Sequence, residues 1–172
     1  MTSPAISVVI PAYRSEGLLE QTLESVLKQT FQDFEIILVD NNASSGTRAI
    51  ADLYRKRFPD LIRLIREPEQ GVCSARNTGI KESLGTYVAL LDDDDMMAPE
   101  RLEKQLKAAI EHPDASMITC GADFIDHSTG RVIHQNVIGA HLKWAILEGY
   151  LKDLLTQVSP SGTGSKERIS PS

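Results

Sequence analysis

Four consecutive carboxylates, Asp92, Asp93, Asp94 and Asp95, are the residues of this chain best equipped for chemistry. They separate the apolar run Tyr87 to Leu91 from Met96-Met97-Ala98-Pro99, where a helix is expected to begin. Two like charges about 4 Å apart repel by roughly 1 kcal/mol in water and about 4 kcal/mol at an effective dielectric of about 20. Gathering them at the end of a strand is therefore unfavourable without a cation. Oxygen ligands with no adjacent His or Cys suit a hard divalent ion, Mg2+ or Mn2+, which keeps positions for water and substrate phosphates. Alternation at the strand end puts Asp92 and Asp94 on one side as the expected metal ligands. Asp93 and Asp95 are then left for sugar contacts, for Arg76 or for helix capping. The competing reading of an acidic run, a solvated loop, is disfavoured by this placement between strand and helix. An isoprenoid-synthase pattern fails because Met96 stands where a third aspartate is needed. A receiver-like phosphoacceptor fails because Pro11-Ala12-Tyr13, without an acid, follows the first apolar run.

Other apolar runs are also followed by polar or small residues. Pro11-Ala12-Tyr13 is a rigid turn with an aromatic ring able to pack beside a base. Asp40-Asn41-Asn42-Ala43-Ser44-Ser45-Gly46-Thr47 offers a carboxylate for a base or ribose and small residues that admit backbone donors. Each of these, taken alone, is equally ordinary turn and capping chemistry. Glu67 to Gly71 then leads into Val72 to Ile80, where Ser74, Ala75 and Gly79 permit close helix packing. Arg76 presents a positive fork for phosphate or carboxylate, and pairing with the nearby aspartates is its structural alternative.

The scaffold that must position these residues is legible as alternating patterns. Nearly continuous apolar runs at Ile6 to Ile10, Phe34 to Val39, Leu61 to Ile65, Tyr87 to Leu91 and Ser116 to Cys120 read as strands buried on both faces. Between them, helical stripes use Leu18, Leu19, Thr22, Leu23, Val26 and Leu27, then Ile50, Leu53, Tyr54 and Phe58, then Val72 to Ser83. A fourth opens at Pro99 and carries Leu102, Leu106, Ala109 and Ile110. Such alternation predicts an α/β fold: a doubly wound, mostly parallel sheet with helices on both faces and ligands beyond the carboxyl ends of the strands. Further on, a turn at Asp126 to Gly130, a strand at Arg131 to Gln135 and a helix at Leu142 to Leu155 are expected, with Trp144 packed in a core or interface. Residues 1–157 make one domain on this reading, and 158–172, rich in Ser, Gly, Pro and charge, form a disordered tail.

Composition bounds the possibilities. The chain has 172 residues, 41% apolar and 24% charged, long enough for one core. A formal net charge of −6 provides no footprint for nucleic acid. Cys73 and Cys120 lack metal or redox spacing and read as small buried hydrophobes of a reducing cytoplasm. The four histidines also lack ligand spacing. Ile6 to Ala12 is too short for a signal peptide core or a membrane span, so a soluble, cytoplasmic protein is expected, in solution or at the cytoplasmic face of the membrane.

Taken together, Ser7 through Tyr13, Val39-Asp40-Asn41-Asn42 through Gly46-Thr47, Gly71 through Arg76-Asn77-Thr78-Gly79-Ile80, and Leu91-Asp92-Asp93-Asp94-Asp95 through Pro99 resemble the family 2 glycosyltransferases of the GT-A fold, in order and in spacing, over roughly residues 5–135. The resemblance implies an inverting transferase, dependent on Mn2+ or Mg2+, that moves a sugar from a nucleoside diphosphate sugar, UDP-sugar favoured, to a hydroxyl of a glycan, lipid or polysaccharide acceptor. It also implies that Pro11, Ala12, Tyr13 and Asp40 contact base and ribose, that Arg76 belongs to the nucleotide pocket, and that Asp92 with Asp94 forms the Asp-x-Asp metal and diphosphate site. Asn42 and Asp93 complete the expected nucleotide-sugar contacts. Asn41 stands where many members carry a second aspartate. The general base of the family lies in a carboxyl-terminal acceptor part that no segment here matches, so a donor domain with an incomplete acceptor half is expected. A catalytically silent nucleotide-sugar-binding module is the rival reading, and a homodimer is left open.

Overall fold

The computed structural model describes residues 3–126 and 128–135. The chain divides into two units, Met1–Ile118 and Thr119–Ser172. The first unit runs β1 (Ile6–Ala12), α1 (Leu19–Leu27), β2 (Phe34–Asp40), α2 (Ser45–Arg57), β3 (Ile62–Arg66), α3 (Val72–Glu82), β4 (Tyr87–Leu90) and α4 (Arg101–Glu111). Its four strands are all parallel, in the order β3-β2-β1-β4. The chain thus builds outward from β1 to β3 and then crosses back to place β4 on the other side of β1. Ligands gather beside strands where the winding reverses in this way.

Every residue of β1 and β2 is buried, as their nearly continuous apolar runs require. Alternation sorts these residues between two faces. Val8, Ile10, Ile36 and Leu38 pack with Leu19, Leu23 and Val26 of α1, Ala51 and Tyr54 of α2, and Leu102 of α4. Val9, Ile37 and Val39 pack with Ala75 of α3 on the opposite face. Helices cover both faces of the central strands as expected, but the edge strand β4 is exposed to partly buried, not buried on both faces. Fully burying a leucine or valine stabilises by about 1.5–3 kcal/mol, so the α1 stripe alone anchors its helix firmly. The start of α2 is capped by Ser44, whose hydroxyl accepts from Thr47 N at 3.2 Å. Gly71 precedes α3 at φ +148°, a backbone conformation that side chains disfavour.

Two buried carboxylates, Glu35 and Asp40, belong to β2, and Glu35 lies within its apolar run. Glu35 accepts from Ser7 Oγ at 2.7 Å and Leu84 N at 2.8 Å through Oε1, and pairs with Arg63 at 3.2 Å through Oε2. These partners satisfy the carboxylate as its burial requires.

Several boundaries differ from expectation. The run Ser116 to Cys120 is not a strand. Apolar composition signals burial, but here only Ile118 is partly buried, and its carbonyl accepts from Gln105 Nε2 at 3.2 Å. Cys73 and Cys120 are exposed, not buried. Pro99 lies in the turn before α4, which begins at Arg101.

In the second unit, β5 (Phe124–Ile125) pairs antiparallel with β6 (Val132–His134), the strand expected within Arg131 to Gln135. The turn between them is closed by Asp126, whose Oδ1 accepts from Ser128 Oγ, Thr129 N and Ser128 N at 2.6 to 2.9 Å. The bonds from Ser128 and Thr129 hold its carboxyl down at about 2. The expected helix Leu142 to Leu155, Trp144 and the tail 158–172 lie outside the described residues.

Candidate functional site: a cleft at the ends of β1 and β4

Pairing carries β1 and β4 to adjacent ends, and Leu91 N extends the register by donating to Val9 O at 3.1 Å. Past that bond the chain leaves extended geometry. Asp95 N donates to Asp92 O at 3.2 Å, so the four aspartates form a turn, and strand alternation does not orient them. Asp92, Asp93 and Asp94 all line one cleft of about 180 Å³, together with Pro11, Ala12, Tyr13, Asn41, Gln70 and Val72.

The expected site residues fall into distinct groups. Pro11, Ala12, Tyr13, Asp92, Asp93 and Asp94 line the cleft. Arg76 does not line it but reaches its rim through the guanidinium, which donates to Asp92 Oδ1. Among the four aspartates, Asp92 is the one it bonds directly. Asp40 is not a lining residue. Its Oδ2 pairs with Arg48 at 2.7 Å and its Oδ1 accepts from Ala43 N at 2.8 Å, both of which hold the loop into α2. Asn42 is also outside the lining set. It adopts φ 57°, which asparagine tolerates better than most residues, and donates to Pro68 O at 3.0 Å.

Asn41, Gln70 and Val72 are lining residues that the sequence reading left out of the site. Asn41 is buried and makes a two-way tie: Nδ2 donates to Glu67 O at 3.0 Å and Glu69 O at 2.6 Å, while Oδ1 accepts from Gly71 N at 2.8 Å. Its amide fixes the β3–α3 loop and hence Gln70 beside the cleft. An aspartate could not donate those bonds. The only advance signal was the departure at this position from the family's aspartate.

Electrostatics at the turn favour an added positive charge. The Asp95 carboxyl is pushed up, first by desolvation, then by the neighbouring charges of Asp94 and Asp92, with Arg101 and Arg76 opposing. Among the described residues no group of three His, Cys, Asp or Glu side chains forms a ready metal cage. An ion such as Mg2+ or Mn2+ needs only one or two carboxylates when water and phosphates complete its shell. The oxygen-only donors Asp92 and Asp94, on one cleft and crowded by a third acid, fit that requirement.

The sequence profile of the family described as Glycosyl transferase family 2 matches residues 7–166. This chain belongs to that family. It is 36% identical to EpsJ, an uncharacterized glycosyltransferase of Bacillus subtilis (strain 168), over 118 residues that cover 69% of this chain and 34% of EpsJ. It is 33% identical to YibD, an uncharacterized glycosyltransferase of Escherichia coli (strain K12), over 125 residues, 73% of this chain and 36% of YibD. The chain therefore spans about a third of the length of these two relatives. Among solved structures, S. aureus TarS 1-349 in complex with UDP superposes with a TM-score of 0.57 at 28% identity, over 63% of this chain and 32% of that one. Mannosyltransferase PcManGT from Pyrobaculum calidifontis, solved with GDP-Man and Mn2+, gives 0.56 at 23% identity over 75% of this chain and 38% of that one, a likeness of fold. The parallel sheet with helices on both faces is the GT-A architecture of these structural neighbours.

Proposed function

We propose that this chain supplies the donor-binding half of a glycosyltransferase that moves a sugar from a nucleoside diphosphate sugar, a UDP-sugar first, to an acceptor hydroxyl with inversion. The observation that carries this reading is the convergence of the Asp92 to Asp94 turn and the Pro11-Ala12-Tyr13 edge on one cleft where the sheet reverses its winding. Family membership supports it, and S. aureus TarS, solved with UDP and with UDP-GlcNAc, favours uridine.

In this reading Pro11, Ala12 and Tyr13 form the wall against which the base and ribose lie. Asp92 and Asp94 would hold the divalent ion, which when bound would neutralise charge developing on the departing diphosphate. Arg76 holds Asp92 in place by charge-assisted hydrogen bonding and adds positive potential beside the diphosphate. The acceptor oxygen attacks the anomeric carbon from the side opposite the diphosphate. One carbon–oxygen bond forms as the other breaks, and the hydroxyl proton passes to a general base. Neither that base nor the acceptor, a glycan, lipid or polysaccharide, is assigned to a described residue.

The test is to incubate the protein with UDP-GlcNAc, other UDP-sugars and GDP-mannose, with Mn2+ or with a chelator, and to quantify released nucleoside diphosphate. Metal-dependent UDP release is the expected result. Nucleotide binding with no release over long incubation would leave a silent binding module, and neither binding nor release of any nucleotide would refute the reading.

A further inference from the structure

Of the four acidic side chains in the turn, Asp93 is the one whose carboxylate is committed to protein donors across a long stretch of sequence. Its Oδ2 accepts from Tyr13 N at 2.9 Å and from Ser15 Oγ at 2.6 Å. Its carbonyl accepts from Thr22 Oγ1 at 3.0 Å. Of the three donors, Ser15 and Thr22 are buried, and Tyr13 is exposed. Ser15 N in turn donates at 3.0 Å to Oγ1 of Thr47, a buried residue in the first turn of α2. These bonds bridge 71 to 80 residues of chain and fasten the turn after β4 to the loop after β1 and to α1.

We propose that Asp93 is a positioning residue that clamps the two loops forming the cleft, and that it does not ligate metal, diphosphate or sugar. Hydrogen bonds to an ionised carboxylate are short and strong, and two of them converging on one oxygen fix both loops relative to each other. Asp92 and Asp94 are its chain neighbours, so the clamp sets where their carboxylates stand relative to Tyr13. An aspartate between two ligand aspartates then serves a different purpose from its neighbours despite identical chemistry.

The geometry separates clamp from ligand. Both side-chain bonds end on the same oxygen. Asparagine can place its single amide oxygen there and keep both bonds without the charge, whereas alanine removes both. A ligand role needs the charge and would not distinguish the two variants in this way.

The experiment compares wild type, Asp93→Asn, Asp93→Ala and Ser15→Ala by hydrogen exchange at the Tyr13 amide and by calorimetric titration of UDP with Mn2+. The exchange arm reads the clamp directly. The affinity arm alone rests on the functional reading above. In Asp93→Ala, Tyr13 exchange should accelerate and UDP affinity should fall, each by about tenfold or more, from the loss of two charge-assisted bonds. In Asp93→Asn both should stay within about threefold of wild type, with Ser15→Ala between. Equal affinity losses in Asp93→Asn and Asp93→Ala would overturn the proposal, as would unchanged Tyr13 exchange in Asp93→Ala. If Asp93→Ala does not fold, Asp93→Asn against Ser15→Ala decides: affinity loss in the first with none in the second overturns the clamp. If wild type binds no UDP, the donor-site reading fails and Tyr13 exchange still decides the clamp.

Discussion

A single methyl added at Gly79 tests how tightly the fold holds the site. In an open helix, replacing glycine with alanine stabilises by about 0.8–1.0 kcal/mol. Here the new Cβ would lie 2.3 Å from Val9 Cγ1 and 3.2 Å from Val39 Cγ2. Val9 is fully buried and β-branched, with restricted χ1 freedom, so it cannot swing aside and α3 must retreat from the sheet. Overpacking of this kind costs about 1–3 kcal/mol, which outweighs the propensity gain and leaves a net loss of about 1 kcal/mol. In a domain of this size that is a fall of about 2–4 °C in Tm. Urea unfolding monitored by circular dichroism would read it as a lower midpoint at unchanged slope. Because α3 also carries Arg76 to Asp92, UDP binding should weaken in the same variant. Shortening the obstructing residue with Val9→Ala should relieve the clash, giving a favourable coupling of about 1 kcal/mol in a double-mutant cycle. A Gly79→Ala protein more stable than wild type, or a cycle additive within about 0.5 kcal/mol, would refute the packing argument.

Asn41→Asp, although it installs the aspartate that the family resemblance leads one to expect, should destabilise this chain by about 2 kcal/mol because a buried carboxylate would face the carbonyls of Glu67 and Glu69. Chemical denaturation checks this, and an unchanged midpoint would show that the loop has another way to close. Glu16 sits below the ordinary glutamate value of 4.5, held there by its own backbone amide and by the hydroxyls of Ser44 and Thr47. Since the folded value is the lower one, the stabilisation is present above the unfolded value and disappears as pH falls through the folded one. Ser44→Ala should move the Glu16 midpoint upward in an NMR titration and, separately, cost α2 about 1 kcal/mol through loss of its cap. A stationary midpoint would count against the network.

The central strands were readable because residues buried on both faces leave nearly continuous apolar runs, and Ile6–Ala12 and Phe34–Asp40 do so. Ala75 and Gly79 likewise signalled a helix that packs closely. Ser116 to Cys120 misled because apolar letters do not say whether a partner strand is present. The acidic turn was located correctly along the chain, but orienting its side chains by strand alternation failed once the backbone curled after Leu90. Long-range polar pairs left no periodic trace. Tyr13 with Asp93, Asn41 with the Glu67 to Gly71 loop, and Glu35 with Arg63 each join residues that no local pattern links. The cleft's location was therefore legible in the letters, and the division of labour among its acids was not.

The most direct measurement is a calorimetric titration of UDP into wild type and Asp94→Asn, each with Mn2+ and with a chelator. Asp94 is exposed on the turn and lines the cleft, so its loss should leave Tm within about 2 °C. The account predicts that wild type binds UDP only with the metal and that Asp94→Asn weakens that binding by about tenfold or more. Equal affinities for the two proteins, or UDP binding indifferent to Mn2+, would contradict it.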